Sequence, residues 1–464
     1  MVERISPRIF QTNYSTINSV SNNITKTSVT DKTVSRPSFC ANSDSIVNNP
    51  VNQTTIRTQL TTKDENEKYK TVLSKLDRNS KKVVESLLKN GILLNNNSND
   101  KSSVLDNLYK ISTEPRAYGL DATVILKDTI AAIAYPFIIT QQFGDIPANY
   151  LNEVININNE SKSNLIDVQQ SAKDVNVEHS GTCVAASTEF KLAKQMPAEF
   201  ARFAQGLSSE KMSVDKEIVL DNLADNTLNG VWLLNAFNMP YKMDNYDKAI
   251  LTFAPDKNAI IRAKIQTKNK DSYERTPLDV LMQSTFMQIG SQQSYNTLTD
   301  KRGGKFNQND KGLIEFEKTF TESVVFDKNI LSVTYQTVDE NARLVGYETD
   351  LDTMKNQLLS ALDMGENVII GYTQTNENNI IVNGHEITII GYKKDNNGKL
   401  TFICNDTDDG VSRPLEYPED YLLPKIHHAA LPKEIVEKDL DIVPNWVEGV
   451  EIYRQMKNQS RNIA

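Results

Sequence analysis

Residues 383–406 read NGHEITIIGYKKDNNGKLTFICND, two apolar runs separated by the turn sequence DNNG. Both runs are rich in the β-branched and aromatic residues that are typical of strands. A short Asx-rich stretch that ends in glycine between two such runs indicates a tight hairpin. The turn returns the end of the second strand to the level of His385. The sequence therefore predicts an antiparallel pair of strands that brings His385 close to Asn405 and Asp406.

The position of His385 at the start of its strand is consistent with two interpretations. Alternation places His385, Ile387 and Ile389 on one face, where an imidazole could simply belong to the core. A general base, however, needs a neighbour that fixes its tautomer and stabilises its cation, and the hairpin supplies one. A carboxylate stabilises an imidazolium better than an amide does. We therefore prefer Asp406 over Asn405 as this neighbour, and Asn405 stays the alternative.

Thiols are scarce, since the chain has three cysteines. Cys40 lies in a polar stretch, and Cys404 lies within a predicted strand, where a free cysteine is usually a small buried hydrophobe. Cys183 differs, because it follows Gly181 and Thr182 at the predicted start of a helix. The unpaired N–H groups and the dipole of a helix N-terminus stabilise a thiolate. Cys183 is therefore the candidate nucleophile.

The other three histidines give weaker signals. His179 lies in a polar stretch shortly before Cys183, and the pair His427 and His428 follows a proline in a predicted loop, where we expect it to be solvated. No group of Cys and His has the spacing of a zinc site, and the acidic run at 408–410 does not match a calcium loop. We therefore expect neither a metal nor a cofactor.

The composition divides the chain into four segments. Residues 1–60 are rich in Ser, Thr and Asn and are predicted to be disordered. Apolar residues recur every three or four positions in 61–143, which predicts a helical region. Residues 144–176 are polar and Asn-rich, and we interpret them as a linker. The remaining 177–464 form a mixed helix and strand unit, which contains both Cys183 and the hairpin.

Three segments of this last unit have patterns that we interpret individually. Thr276 and Pro277 predict a helix start, with Thr as the N-cap and Pro in the first turn. Residues 212–239 are predicted to be helical, and 259–265 are predicted to form a strand.

Composition also excludes several classes of function. The net charge of −9 argues against a nucleic-acid-binding protein, which normally has a basic surface. No apolar run approaches the ~20 residues that span a bilayer, and three cysteines do not make a disulfide framework. The first residues do not form a Sec-type signal peptide. We expect a cytoplasmic protein, or one exported by another route.

At these residues the sequence resembles the papain-like (clan CA) cysteine peptidases. The segment GTCVAAS at 181–187 is similar to their nucleophile helix, NGHEITIIGY at 383–392 to their general-base strand, and FICND at 402–406 to the strand that delivers the third catalytic residue. The resemblance implies an α+β papain-like fold, in which a helical half carries Cys183 and an antiparallel half carries His385 and Asp406 or Asn405. Related peptidases that have an Asn-Asp pair at the end of this strand look as if they use the Asp, which the resemblance would place at Asp406.

The sequence differs from the family pattern at three places. The family has a glutamine about six residues before the nucleophile as an oxyanion donor, whereas this chain has Val177 there. No tryptophan follows Cys183 or Asn405. About 200 residues separate Cys183 from His385, more than is usual in the family, which implies an insertion between the two halves.

The resemblance implies a thiol-dependent hydrolase, and specifically a cysteine peptidase that acts on proteins or peptides through an acyl-enzyme. Two alternatives stay open: a transglutaminase-like acyltransferase or deamidase, and a papain-like scaffold that binds a partner without catalysis. The helical region 61–143 could be an inhibitory pro-segment or a bundle that supports the catalytic domain 177–464.

Overall fold

The computed structural model describes residues 56–142, 181–223, 230–268, 275–298, 300–303, 312–313, 315–339, 341–408 and 412–436. Several expectations fall outside these residues. They are the predicted linker at 144–176, most of the disordered terminus at 1–60, and the positions of Cys40, Val177 and His179.

The helices of the described residues form an N-terminal group of four and a later group of nine. They are α1 Lys63–Ser74, α2 Arg78–Lys89, α3 Val104–Thr113, α4 Ala122–Ala134, α5 Cys183–Gln195, α6 Pro197–Leu207, α7 Gly230–Ala236, α8 Ala259–Lys268, α9 Pro277–Gly290, α10 Glu315–Phe326, α11 Leu351–Asp363, α12 Glu419–Leu422 and α13 Lys433–Val436.

The strands form three sheets. They are β1 Val214–Val219, β2 Tyr241–Met243, β3 Lys248–Phe253, β4 Ile330–Thr334, β5 Gln336–Val338, β6 Leu344–Tyr347, β7 Val368–Thr375, β8 Ile381–Lys394, β9 Leu400–Asn405, β10 Leu415–Pro418 and β11 Ile426–Pro432. The largest sheet has the order β10-β9-β8-β7-β11-β4, and each of its pairs is antiparallel. The chain is thus an α+β protein, which confirms the predicted class.

The predicted hairpin is present as β8 and β9 at one side of the large sheet. Thr388 pairs with Asn405, and Tyr392 pairs with Phe402. The turn between the strands contains Gly398 at φ +84°, a conformation that a side chain would strain. Asp395 accepts backbone hydrogen bonds within this turn. The local turn chemistry sets the register from Lys394 to Gly391, and a bulge at Ile390 then shifts the pairing by one residue. The turn and the bulge together bring the part of β8 that carries His385 to the end of β9.

Side-chain caps start the four N-terminal helices. Thr62, Asp77, Ser103 and Asp121 each accept hydrogen bonds from the backbone of the first turn that follows. Such caps satisfy N–H groups that have no acceptor within the helix. The buried residues of all four helices join the same apolar cluster as those of α5 and the large sheet. The helical region therefore shares a core with the rest of the chain.

The secondary structure predicted for two segments is wrong. Residues 214–219, predicted as part of a helix, form the strand β1, whose inward positions alternate and include Lys216. Lys216 interrupts the apolar alternation in the sequence, because a lysine occupies an inward position of the strand. It can be buried there because its ammonium donates to the carbonyl of Val325. Residues 259–265, predicted as a strand, belong to the helix α8, which packs on α9. Short apolar runs do not distinguish a buried helix from a strand by periodicity alone.

Candidate active site

Cys183 is the first residue of α5, and it is half-buried. This helix is buried along most of its length and packs against β8 and β7 of the large sheet. The N–H groups of a first helical turn have no acceptor within the helix and carry partial positive charge. The position therefore favours negative charge on sulfur or on a bound carbonyl oxygen.

A buried aspartate holds the chain just before the nucleophile. The backbone N–H of Gly181 donates to Asp300 Oδ2 at 2.7 Å, and the hydroxyl of Tyr295 donates to Asp300 Oδ1 at 2.8 Å. Burial, together with the charge of Asp300, raises the pKa of Tyr295 well above its ordinary value, so that its hydroxyl stays a donor. Asp300 was not predicted from the sequence, because nothing in the loop around it resembles a motif.

His385 and Asp406 form the central contact of the site. His385 Nε2 lies 2.7 Å from Asp406 Oδ1, and both side chains are largely buried, with exposed fractions of 14% and 16%. The backbone N–H of Asp408 donates to the same carboxylate oxygen at 2.9 Å. The loop after β9 thus fixes the carboxylate, and the carboxylate fixes the imidazole ring.

Burial and the charge of the partner side chain determine the direction in which the pKa values of His385 and Asp406 shift. Burial alone would lower the pKa of His385, but the charge and hydrogen bond of Asp406, with a smaller effect of the nearby Cys183 thiol, raise it well above its ordinary value. Burial would raise the pKa of Asp406, but His385 and the N–H of Asp408 hold it below its ordinary value. His385 therefore contacts the carboxylate and lies close enough to Cys183 for the thiol to affect its pKa.

The other predicted residues lie elsewhere. Asn405 is buried at the end of β9, and no described residue accepts a hydrogen bond from its Nδ2. The structure brings Asp406, rather than Asn405, to His385. Cys404 is fully buried, and burial raises the pKa of its thiol far above the ordinary value. The pair His427 and His428 is buried in strand β11, so the prediction of a solvated loop is wrong.

The pH dependence of stability tests the pair of His385 and Asp406. Because the pKa of Asp406 is lowered by folding, its contribution is present above its unfolded pKa of about 3.9 and is lost as the pH falls. Because the pKa of His385 is raised, its contribution is complete below about 6.5 and is lost as the pH rises through the folded value. We expect the stability difference between the native chain and Asp406→Asn to be largest between about pH 4 and pH 6.5.

Chemical denaturation of both proteins across this range measures the difference. A hydrogen bond to a charged group contributes ~1.5–3 kcal/mol. A difference that stays constant from pH 4 to pH 9 would contradict the pairing.

The segment after α4 braces the loop that carries Asp406. The backbone N–H of Gln141 and the hydroxyl of Thr140 both donate to the carbonyl of Thr407 at 3.0 Å. Gln142 Nε2 donates to the carbonyl of Asp408 at 2.9 Å and to its carboxylate at 3.0 Å. The helical region thus reaches the residues immediately after the candidate third catalytic residue.

Loss of this brace is expected to lower turnover. Gln142→Ala removes two hydrogen bonds to Asp408 and lets the loop move, and a misplacement of a catalytic group by ~1 Å can lower the rate by about 10²-fold. Gln205→Ala is the matched control, because Gln205 Nε2 makes a similar bond to Glu114 Oε2 at 2.9 Å on the surface. Steady-state kinetics on any substrate that the native chain turns over would measure both, and equal effects of the two variants would contradict the brace.

Comparisons with protein-family models, curated proteins and solved structures find no significant match to this chain. None of the helices in the described part of the chain is both long and apolar enough to cross a bilayer.

Proposed function

We propose that this chain is a thiol-dependent hydrolase with a papain-like fold, and that it cleaves proteins or peptides. The observation that carries the proposal is the contact of His385 Nε2 with Asp406 Oδ1 at 2.7 Å, near the Cys183 thiol, which contributes to the raised pKa of His385. A thiol at a helix start, a base and an orienting carboxylate are the parts that nucleophilic acyl transfer requires.

Each residue has a role in the proposed reaction. Asp406 accepts a hydrogen bond from Nε2–H of His385, which makes Nδ1 the basic nitrogen. Nδ1 takes the proton of Cys183, the sulfur attacks the carbonyl carbon, and His385 then gives the proton to the leaving amine. A thioester forms as the amide C–N bond breaks. In the second half, His385 takes a proton from water as the oxygen attacks the thioester carbon. The C–S bond then breaks, the carboxylic acid leaves, and His385 returns the proton to the sulfur of Cys183.

The oxyanion of the tetrahedral intermediates needs backbone or side-chain donors. The N–H of Cys183 is one candidate, because it belongs to the first turn of α5. The position at which the resemblance places a second donor, Val177, lies outside the described residues.

The order of elements supports the papain-like part of the proposal. The nucleophile helix α5 packs against an antiparallel sheet, in which neighbouring strands β8 and β9 carry the base and precede the acid. Helix α11 and strand β7 come directly before the base strand, as the resemblance implies. The chain between α5 and α11 forms further helices and the sheet of β1, β3 and β2, which fits the expected insertion.

A peptide-cleavage experiment tests the function. The full chain and Cys183→Ala are each incubated with a mixture of proteome-derived peptides and a primary-amine probe, and the products are identified by mass spectrometry. New peptide termini that require Cys183 support a peptidase. Amine incorporation without cleavage would indicate an acyltransferase instead, and conversion of glutamine to glutamate without cleavage would indicate a deamidase. The absence of any product that depends on Cys183 would favour the non-catalytic scaffold.

The shared core favours a supporting role for the helical region over an inhibitory one. Deletion of residues 1–142 would remove Leu108 and Ile130 from the common cluster and expose side chains that pack on the deleted segment, such as Phe190, whose ring centroid lies 5.3 Å from that of Phe137. Burial of an apolar side chain of this size contributes ~1.5–3 kcal/mol. We expect the truncated protein to lose stability and activity, as measured by thermal unfolding and turnover. A truncated protein that is stable and more active would instead identify the region as an inhibitory pro-segment.

A further inference from the structure

A second cluster of polar side chains lies inside the protein, where helix α10 meets strand β11. Glu315, His427 and His428 are its members, and one ligand atom from each lies within 4.8 Å of the others. The side chains of the three residues are 12%, 8% and 7% exposed. None of them takes part in the proposed hydrolysis.

An irregularity in strand β11 allows two consecutive histidines to reach the same carboxylate. Successive side chains of a regular strand point to opposite faces. The pairing of β11 with β7 shifts between Ile426 and His428, so that His427 is the extra residue of a bulge. Bulges commonly redirect a side chain beside a functional site.

A glycine on the neighbouring strand makes room for the second imidazole. A Cβ atom on Gly371 of β7 would lie 2.1 Å from Cε1 of His428. Any larger residue there would displace the ring. Glycine at position 371 therefore leaves the space that the ring of His428 occupies.

The distances within the cluster match the separation of ligands around a metal. Glu315 Oε1 lies 3.0 Å from His427 Nε2 and 3.4 Å from His428 Nδ1. Ligands at 2.0–2.1 Å from a tetrahedral zinc ion lie about 3.3 Å from one another. The 3.4 Å contact does not have hydrogen-bond geometry, since no described residue forms a hydrogen bond with His428 Nδ1.

Further side chains hold two of the candidate ligands. The other nitrogen of His428, Nε2, lies 2.8 Å from Glu386 Oε1, and Lys318 lies 3.2 Å from the second oxygen of Glu386. Thr334 donates to Glu315 Oε2 at 3.1 Å, which directs Oε1 toward the histidines. A carboxylate on the second nitrogen of a histidine is the usual outer partner of a metal-binding imidazole.

We propose that Glu315, His427 and His428 bind a zinc ion. Two imidazoles and one carboxylate are a recurrent zinc ligand set, which leaves the fourth position to water. Imidazole nitrogens favour zinc over magnesium and calcium. The sequence expectation of no metal rested on the spacing of Cys and His and on the acidic run at 408–410. Neither pattern includes this set, because Glu315 lies on a helix far from His427 and His428 in the sequence.

The position of the site lets a bound ion connect two elements of the fold. It joins the start of α10 to β11, and through Glu386 it reaches the strand that carries His385. Because the ion binds the folded protein, it stabilises that state in proportion to its concentration relative to Kd. The effect on folding is therefore separable from the cleavage reaction.

Measurement of bound zinc tests the proposal. The full chain is prepared with Cys183→Ala and without an affinity tag, so that neither the active-site thiol nor added histidines take up metal. Elemental analysis is expected to give about one zinc per chain, and chelation to lower Tm with recovery on addition of zinc. Zinc-free protein that shows neither zinc uptake nor a Tm shift would overturn the proposal and leave the cluster as a proton-bridged ion network.

Graded variants locate the ion. Glu315→Gln keeps the shape of the side chain and removes a ligand charge, and it is expected to lose bound zinc. Glu386→Gln removes only the outer partner and is expected to weaken zinc binding 10–100-fold. His385→Ala is the matched control and is expected to keep full zinc content. Loss of zinc in His385→Ala, with retention in Glu315→Gln, would place the ion at the catalytic site instead.

Discussion

Replacement of Cys183 by alanine is expected to lower kcat by about 10⁴-fold or more, with little change in KM. Removal of the nucleophile eliminates the covalent path, and what is left of catalysis comes from binding and oxyanion stabilisation alone. The measurement is a progress curve with a peptide that the native chain cleaves, followed at matched concentrations of folded protein.

Cys404→Ala is the matched control for this substitution. Cys404 is fully buried on β9, and burial raises the pKa of its thiol far above the ordinary value, so that it is not a nucleophile. We expect Cys404→Ala to lose some stability and to keep its turnover per folded molecule. An active Cys183→Ala protein, or an inactive but folded Cys404→Ala protein, would refute the assignment of the nucleophile.

Asp406→Ala is expected to lower kcat by roughly 10³–10⁴-fold, since a triad base without its orienting partner loses its tautomer and the stabilisation of its cation. The expectation rests on the 2.7 Å contact between Asp406 Oδ1 and His385 Nε2. A change in the pH profile of kcat should accompany the loss, because the raised pKa of His385 depends on Asp406.

Asn405→Ala separates the two candidates for the third catalytic residue. Asn405 is adjacent to Asp406 and equally close to the hairpin end, but its Nδ2 donates to none of the described residues. We expect a loss of at most about 10²-fold in kcat, the size that an indirect displacement of a catalytic group causes. If Asn405→Ala were the more damaging variant, the amide would be the orienting group and the assignment of Asp406 would be wrong.

The hairpin shows how much of the site could be predicted from the sequence. A turn sequence between two strand-like runs is local information, and it sets which residues face each other close to the turn. For this reason, the sequence alone predicts that His385 and Asp406 lie close together. The start of α5 is also local, because helix boundaries depend on nearby residues. A bulge at Ile390, which the sequence does not indicate, shifts the pairing by one residue farther along the hairpin.

Other parts of the site depend on contacts between distant segments. Asp300 lies more than a hundred positions from Gly181, and nothing near it in the sequence indicates that it accepts a hydrogen bond from that residue. His427 and His428 were predicted to be solvated, because a pair of polar residues after a proline is typical of a loop. Their burial comes from β4 and β7 on either side and from a bulge that has no sequence signature.

Labelling by an electrophilic thiol probe tests the central claim most directly. The native full chain is treated with a peptide-like electrophile at limiting concentration, and the modified residue is located by mass spectrometry. The proposed site predicts fast modification of Cys183, a large loss of rate in His385→Ala, and no modification of Cys404 before unfolding. Equal labelling of Cys183 and Cys404, or labelling of Cys183 that does not depend on His385, would contradict a catalytic thiol at the start of α5.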